Sequence, residues 1–168
     1  RIFISNMVDV AATGLFTVGF QIGAIISLCS NSFNLAFSPW LFNKLNSGQS
    51  KDKLNIVKFT YLYFIIIIFS AIILGLICPY LMKYLVGKNF SGSSIYVIWI
   101  ALGFAFHGMY LMVVNYIFYV EKTYFLAIAT FLSAIINIIL NYLLIKQNGA
   151  IGSAQATTIT YLFMFISV

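Results

Sequence analysis

Few residues in this chain could do chemistry. The 168 residues include one histidine and three acids. His107 stands in "GFAFHGMY", and the acids are Asp9, Asp52 and Glu121. No pair of carboxylates shares a helix face, so acid–base work by paired acids has no carrier. No glycine-rich phosphate loop opens a helix. Cys29 and Cys78 match no metal or redox spacing and read as small buried hydrophobes. The chain is therefore expected to be no enzyme, and to hold no metal or cofactor.

What remains is polarity set inside apolar stretches, where it is costly and usually has a reason. In "AIINIILNYLLIKQNGAIGSAQAT" (134–157), Asn137 and Asn141 lie four apart and share a helix face. Two readings stand: they line a polar cavity, or they hydrogen-bond a neighbouring helix. His107 has the same two readings, a pathway contact or an interhelical hydrogen bond. Asn115, eight residues on, is expected on roughly the same face as His107. Farther upstream come Gln21, Asn31, Asn34 and Ser38, then Pro39, which should bend or end its helix. Gly19 and Gly23 form a GxxxG pair, a weak signal for close helix approach. Arg1 would need a partner or a water cavity if its apolar surroundings are a membrane helix. The candidate pathway residues are thus Arg1, Gln21, Asn34, His107, Asn115, Asn137 and Asn141.

The elements that must position them are membrane helices. Hydrophobic residues make up 62% of the chain and charged residues 7%, against about 25% charged in soluble domains. Mean hydropathy is +1.04. A span needs about 20 apolar residues. Spans are expected near 15–41, 57–78, 95–119 and 124–145, with a fifth beginning near Ile151 and residues 1–11 the tail of an earlier one. No strict alternation suggests a β-barrel. The expected fold is all-α, a polytopic transmembrane helix bundle, with residues 1–168 a single transmembrane domain that is part of a larger protein.

The loops are short. Those at 43–58 and 120–123 hold Lys44, Lys51, Lys53, Lys58 and Lys122, and the opposite side holds Lys83, Lys88 and Lys146. The bias favours the first pair of loops as cytoplasmic. The net charge of +6 fits lysines facing membrane lipid headgroups. No basic stripe with interleaved aromatics calls for nucleic acid. Tyr61, Tyr63, Tyr80, Tyr84, Tyr96, Tyr119 and Tyr124 are expected as interfacial belts near span ends.

Four stretches together carry a family likeness: "RIFISNMVDVAATGLFTVGFQIG" (1–23), "FSPWLF" (37–42), "LVGKNFSGS" (85–93) and the segment 121–161, with "NIIL" and "NYLLI" ahead of "NGAIGSAQAT". In order and spacing the chain resembles the C-terminal half of bacterial polysaccharide (O-antigen) flippases. These belong to the multidrug/oligosaccharidyl-lipid/polysaccharide exporter superfamily. The resemblance implies a MATE-like fold of about twelve helices in two six-helix bundles, this chain running from the end of helix seven into helix twelve. It implies a multi-pass protein of the bacterial inner membrane that flips an undecaprenyl-pyrophosphate-linked oligosaccharide by alternating access. It leaves open coupling to an ion, H+ or Na+, and contacts with other polysaccharide-assembly membrane proteins. It also implies that Arg1 and His107 contact pyrophosphate or anionic sugars. The acid expected to pair with Arg1 falls before the first residue. The alternatives are a lipid II or drug exporter of the same superfamily and, less well matched, a membrane polysaccharide polymerase. A polymerase is expected to carry a large outer loop with arginine and histidine, and the 79–94 loop has neither.

Overall fold

A computed structural model of the chain describes residues 2–85 and 92–168. The described residues form helices α1 (Ile2–Met7), α2 (Val10–Gly23), α3 (Ile25–Asn46), α4 (Ser50–Leu85), α5 (Ser94–Tyr119), α6 (Tyr124–Asn148) and α7 (Ala150–Ile166). Val10–Asn46, Lys51–Met82, Ser94–Tyr119 and Tyr124–Asn148 are long and apolar enough to cross a membrane, and Ala150–Ile166 is a shorter apolar helix. At 1.5 Å per residue α5 is about 39 Å long, against a hydrocarbon layer of about 30 Å. The protein is a multi-pass helical membrane bundle. Helices satisfy their own backbone groups, which is why so apolar a chain has this architecture.

The expected spans are found with altered bounds. The stretch 15–41 is two helices. They meet at Ala24, whose N–H bonds the Phe20 carbonyl while its own carbonyl accepts from Leu28 N–H, so the ladder runs almost unbroken through the joint. Pro39 does not end α3, which continues to Asn46. The proline removes one amide, and the Leu35 carbonyl four residues earlier loses its helical donor. Pro79 likewise lies inside α4, which starts earlier and ends later than 57–78. The expected 43–58 loop shrinks to residues 47–49, and half of the expected 79–94 loop is helix.

α5 is the hub. It packs against α2, α3, α4 and α7, and Val97, Ile100, Ala101 and Ala105 keep no exposed surface. The GxxxG pair explains how α2 comes so close. A methyl group added at Gly19 would lie 2.8 Å from the Ser93 carbonyl oxygen, and one at Gly23 would lie 2.7 Å from Ile100 Cγ2. Only hydrogen fits at that separation. α3 meets α5 through Asn34 and Asn115, and α4 closes the other flank.

The turns follow from local chemistry. Asp9 caps α2 by accepting from Ala12 N–H. Glu121 sits at φ +59°, with its N–H on the Phe118 carbonyl and Lys122 N–H on the Ile117 carbonyl. That is a Schellman stop with glutamate where glycine is usual. Tyr119 donates its hydroxyl to Asn46 Oδ1 at 2.9 Å, so the 47–49 and 120–123 turns lie at one end of the bundle. Lys44 bonds Asp52 at 2.9 Å across the first of these turns. Asp52 also accepts from the Ser47 hydroxyl at 2.6 Å, which closes the turn.

Two expectations about side chains are corrected. Tyr63 and Tyr96 are buried and are not belt residues. Tyr63 stacks on Phe33 with ring centroids 4.4 Å apart, and Tyr96 packs edge-on against Phe16 at 5.7 Å. Tyr61, Tyr80, Tyr84, Tyr119 and Tyr124 are exposed, as a belt requires. Cys78 is buried, but Cys29 is exposed beside an apolar groove between α3 and α4.

Candidate functional site

The polar residues gather into two separate clefts along α5. The first, about 430 Å³, lies among α5, α6 and α7. His107 enters it from α5, Ser133 and Asn137 from α6, and Thr157, Thr160 and Tyr161 from α7. The spacing on α6 and α7 is helical: 133 and 137, then 157, 160 and 161, put one stripe of each helix on the cleft. α6 and α7 form a tight hairpin. Gly149 turns the chain at φ +64° and ψ −149°, a conformation open essentially to glycine alone. Three residues on, a methyl group at Gly152 would overlap the Leu144 carbonyl oxygen. The two helices therefore touch backbone to backbone at the turn.

A hydrogen-bonded ladder fills the seam between them. Ser153 Oγ donates to Asn141 Oδ1 at 2.7 Å. Asn141 Nδ2 donates to the Asn137 carbonyl at 2.9 Å and to Asn137 Oδ1 at 3.0 Å. Asn137 Nδ2 donates to Thr160 Oγ1 at 3.1 Å, and Thr160 passes its proton to the Ala156 carbonyl at 2.7 Å. Both readings of the asparagine pair thus hold in part. Asn141 is buried and ties helix to helix, whereas Asn137 does so from the cleft wall.

His107 differs from these residues because its Nδ1 is buried and has no hydrogen-bond partner. Its ring lies 4.9 Å from that of Tyr161 and 5.9 Å from that of Tyr110, centroid to centroid. An unpartnered buried nitrogen costs roughly 1–3 kcal/mol. Of the two readings of His107, an interhelical hydrogen bond is therefore not made through Nδ1.

The second cleft, about 540 Å³, lies between α3 and α5 and is lined by Asn34, Ser38, Pro39 and Asn115. Asn115 Nδ2 donates to Asn34 Oδ1 at 2.7 Å, and Asn115 is almost wholly buried. The expected shared face of His107 and Asn115 is corrected here. Eight residues leave the two side chains about 80° apart, and the neighbouring helices divide them, α6 and α7 beside His107 and α3 beside Asn115. Gln21 is exposed and lines neither cleft. Arg1 lies outside the described residues.

Two bacterial relatives match almost the whole chain. One is a membrane protein of uncharacterised role from Haemophilus influenzae, 31% identical over 162 residues. The other, from the same organism, is named for the Lsg locus and is 28% identical over 168 residues. Each alignment covers 96% of this chain but only 37% and 42% of the respective relatives. The chain thus spans about two fifths of their length. No protein-family profile and no solved structure matches it.

Sequence reasoning found the asparagines and His107 but missed the cleft's other half. Ser133, Thr157, Thr160 and Tyr161 were not among the candidates. Their signal was present in "SAQATTITY" (153–161), an unusual density of hydroxyls for a membrane helix. Such hydroxyls can return their protons to their own helix, which makes them inconspicuous in an apolar sequence.

Proposed function

We propose that this chain is the C-terminal part of a transporter that moves a lipid-linked oligosaccharide across the bacterial inner membrane by alternating access. The observation that carries the reading is the polar cleft of His107, Asn137, Thr157 and Tyr161 inside an otherwise apolar bundle. An ionisable side chain such as His107 at membrane depth is costly and commonly faces a substrate path or a water-filled cavity. The ordered likeness to polysaccharide flippases supplies the substrate class, and the description of one relative as a bacterial membrane protein supports the location. In this reading the end bearing Lys44, Lys51, Lys53, Lys58 and Lys122 faces the cytoplasm, and a second six-helix bundle completes the path. The chain works by binding and conformational exchange, with no catalytic group.

The test uses the full-length gene in a bacterial host lacking its own repeat-unit flippase but making the cognate repeat. Restored surface polysaccharide, with lipid-linked precursor cleared from the inner leaflet, is the expected result. Well-inserted protein that leaves precursor trapped in that host would overturn the oligosaccharide assignment in favour of another exported substrate.

A further inference from the structure

We infer that the α5–α6–α7 cleft binds an uncharged, hydroxyl-rich sugar moiety and not the pyrophosphate, with His107 and Thr157 selecting for it. The inference rests on the transport reading and names which part of the substrate this half of the protein holds. Among the described residues no lysine, arginine, aspartate or glutamate lines the cleft. A pyrophosphate buried against this wall would meet no compensating cation from the described residues of this chain, and unpaired buried charge is strongly disfavoured. Nor does any carboxylate stand by to accompany an imidazolium, so His107 enters the cleft as a neutral ring. This departs from the anion contact that the family likeness implies for His107.

The hydrogen-bond polarity of the cleft points the same way. Ser133 Oγ donates to the Ala129 carbonyl at 2.7 Å, and Thr157 Oγ1 to the Ser153 carbonyl at 2.9 Å. With those protons committed, the half-buried Thr157 oxygen presents lone pairs to the cleft, while Ser133 lies almost wholly buried in its wall. The imidazole adds an acceptor nitrogen, since a neutral ring has one donor and one acceptor. An acceptor-rich wall needs donors from its ligand, and sugar hydroxyls supply several at once. The ring faces of Tyr161 and His107 offer negative π surface to the polarised C–H groups of a sugar. A bare cation would also satisfy acceptors, but the cleft's volume of about 430 Å³ is that of a small-molecule site.

The test compares His107→Phe and Thr157→Val with the parent full-length protein in two flippase-deficient hosts. One host makes a repeat unit of neutral hexoses only, and the other makes a repeat unit bearing a uronic acid. Surface polymer is scored against membrane protein level. Both substitutions keep size and remove acceptors. The expected result is at least a tenfold loss of transport for the neutral repeat, with a clearly smaller loss for the acidic one. Transport of the neutral repeat within twofold of the parent would overturn the inference. So would an equal loss for both repeats, which would mark a structural role. If the parent protein itself moves neither repeat, the transport reading fails first, and it does so visibly before any variant is compared.

Discussion

The bond between Ser153 and Asn141 gives a quantitative test of the α6–α7 seam. Both residues are buried, and the 2.7 Å contact joins the two helices directly. Asn141→Leu keeps bulk but removes that bond and the donor to Asn137 Oδ1. Ser153→Ala leaves Asn141 Oδ1 a buried acceptor without its partner, a loss of about 1–3 kcal/mol. Interhelical hydrogen bonds in membranes average about 0.6 kcal/mol and reach about 1.7. The short distance and full burial place this pair in the upper half of that range, so a double-mutant cycle should return a coupling of about 1–1.7 kcal/mol. The assay is denaturing-detergent unfolding of the full-length protein in mixed micelles, followed by far-ultraviolet circular dichroism. Asn31→Leu is the control: Asn31 is exposed and bonds only within its own helix, to the Ser27 carbonyl and hydroxyl. It should change stability by no more than about 0.5 kcal/mol. A Ser153–Asn141 coupling below about 0.3 kcal/mol would refute the claim that the ladder holds the hairpin together.

Further predictions concern the turns. Gly152→Ala drives a methyl group into the Leu144 backbone, where no side-chain rotation relieves it; a loss of about 3 kcal/mol or more is expected in the same unfolding assay. Gly149→Ala meets no neighbouring atom, so its cost is purely conformational, about 1–3 kcal/mol. Glu121→Gly should stabilise by up to about 1 kcal/mol, because it relieves a left-handed glutamate while adding some unfolded-state entropy. A loss of stability in that variant would mean that the Glu121 side chain makes a favourable contact outweighing its backbone strain.

Much of the architecture was legible because membrane helices announce themselves by length and apolarity. The bounds of the third to fifth expected spans agree closely with α5, α6 and α7. The GxxxG pair, weak as a pattern, proved to be where α2 meets α5. Misreadings arose where hydropathy is blind. Ala24 marks a joint between two helices without any change in polarity, and Pro39 and Pro79 lie inside helices that continue past them. Tyr63 and Tyr96 look like belt residues in sequence, but ring packing with Phe33 and Phe16 draws them inward. The pairing of His107 with Asn115 failed on tertiary context: eight residues leave the two side chains about 80° apart, and the helices packed there give His107 to the α6–α7 side and Asn115 to α3. The cleft itself was half visible. Amides and an imidazole stand out among isoleucines, whereas Thr157 and Thr160 conceal their polarity by bonding their own helix.

The central claim is that the α5–α6–α7 cleft is a water-accessible path through the membrane domain. It is tested most directly by thiol labelling of the full-length protein in intact cells and in inverted vesicles, after Cys29, Cys78 and any cysteine elsewhere in the full-length protein are replaced by alanine. Thr157→Cys, on the cleft wall, should react with a membrane-impermeant maleimide from at least one side, and faster when transport is running. Met112→Cys, buried in α5 at 1% exposure, should not react. A cysteine at 157 as inert as the one at 112 from both sides would contradict the account and leave the cleft as packing between helices.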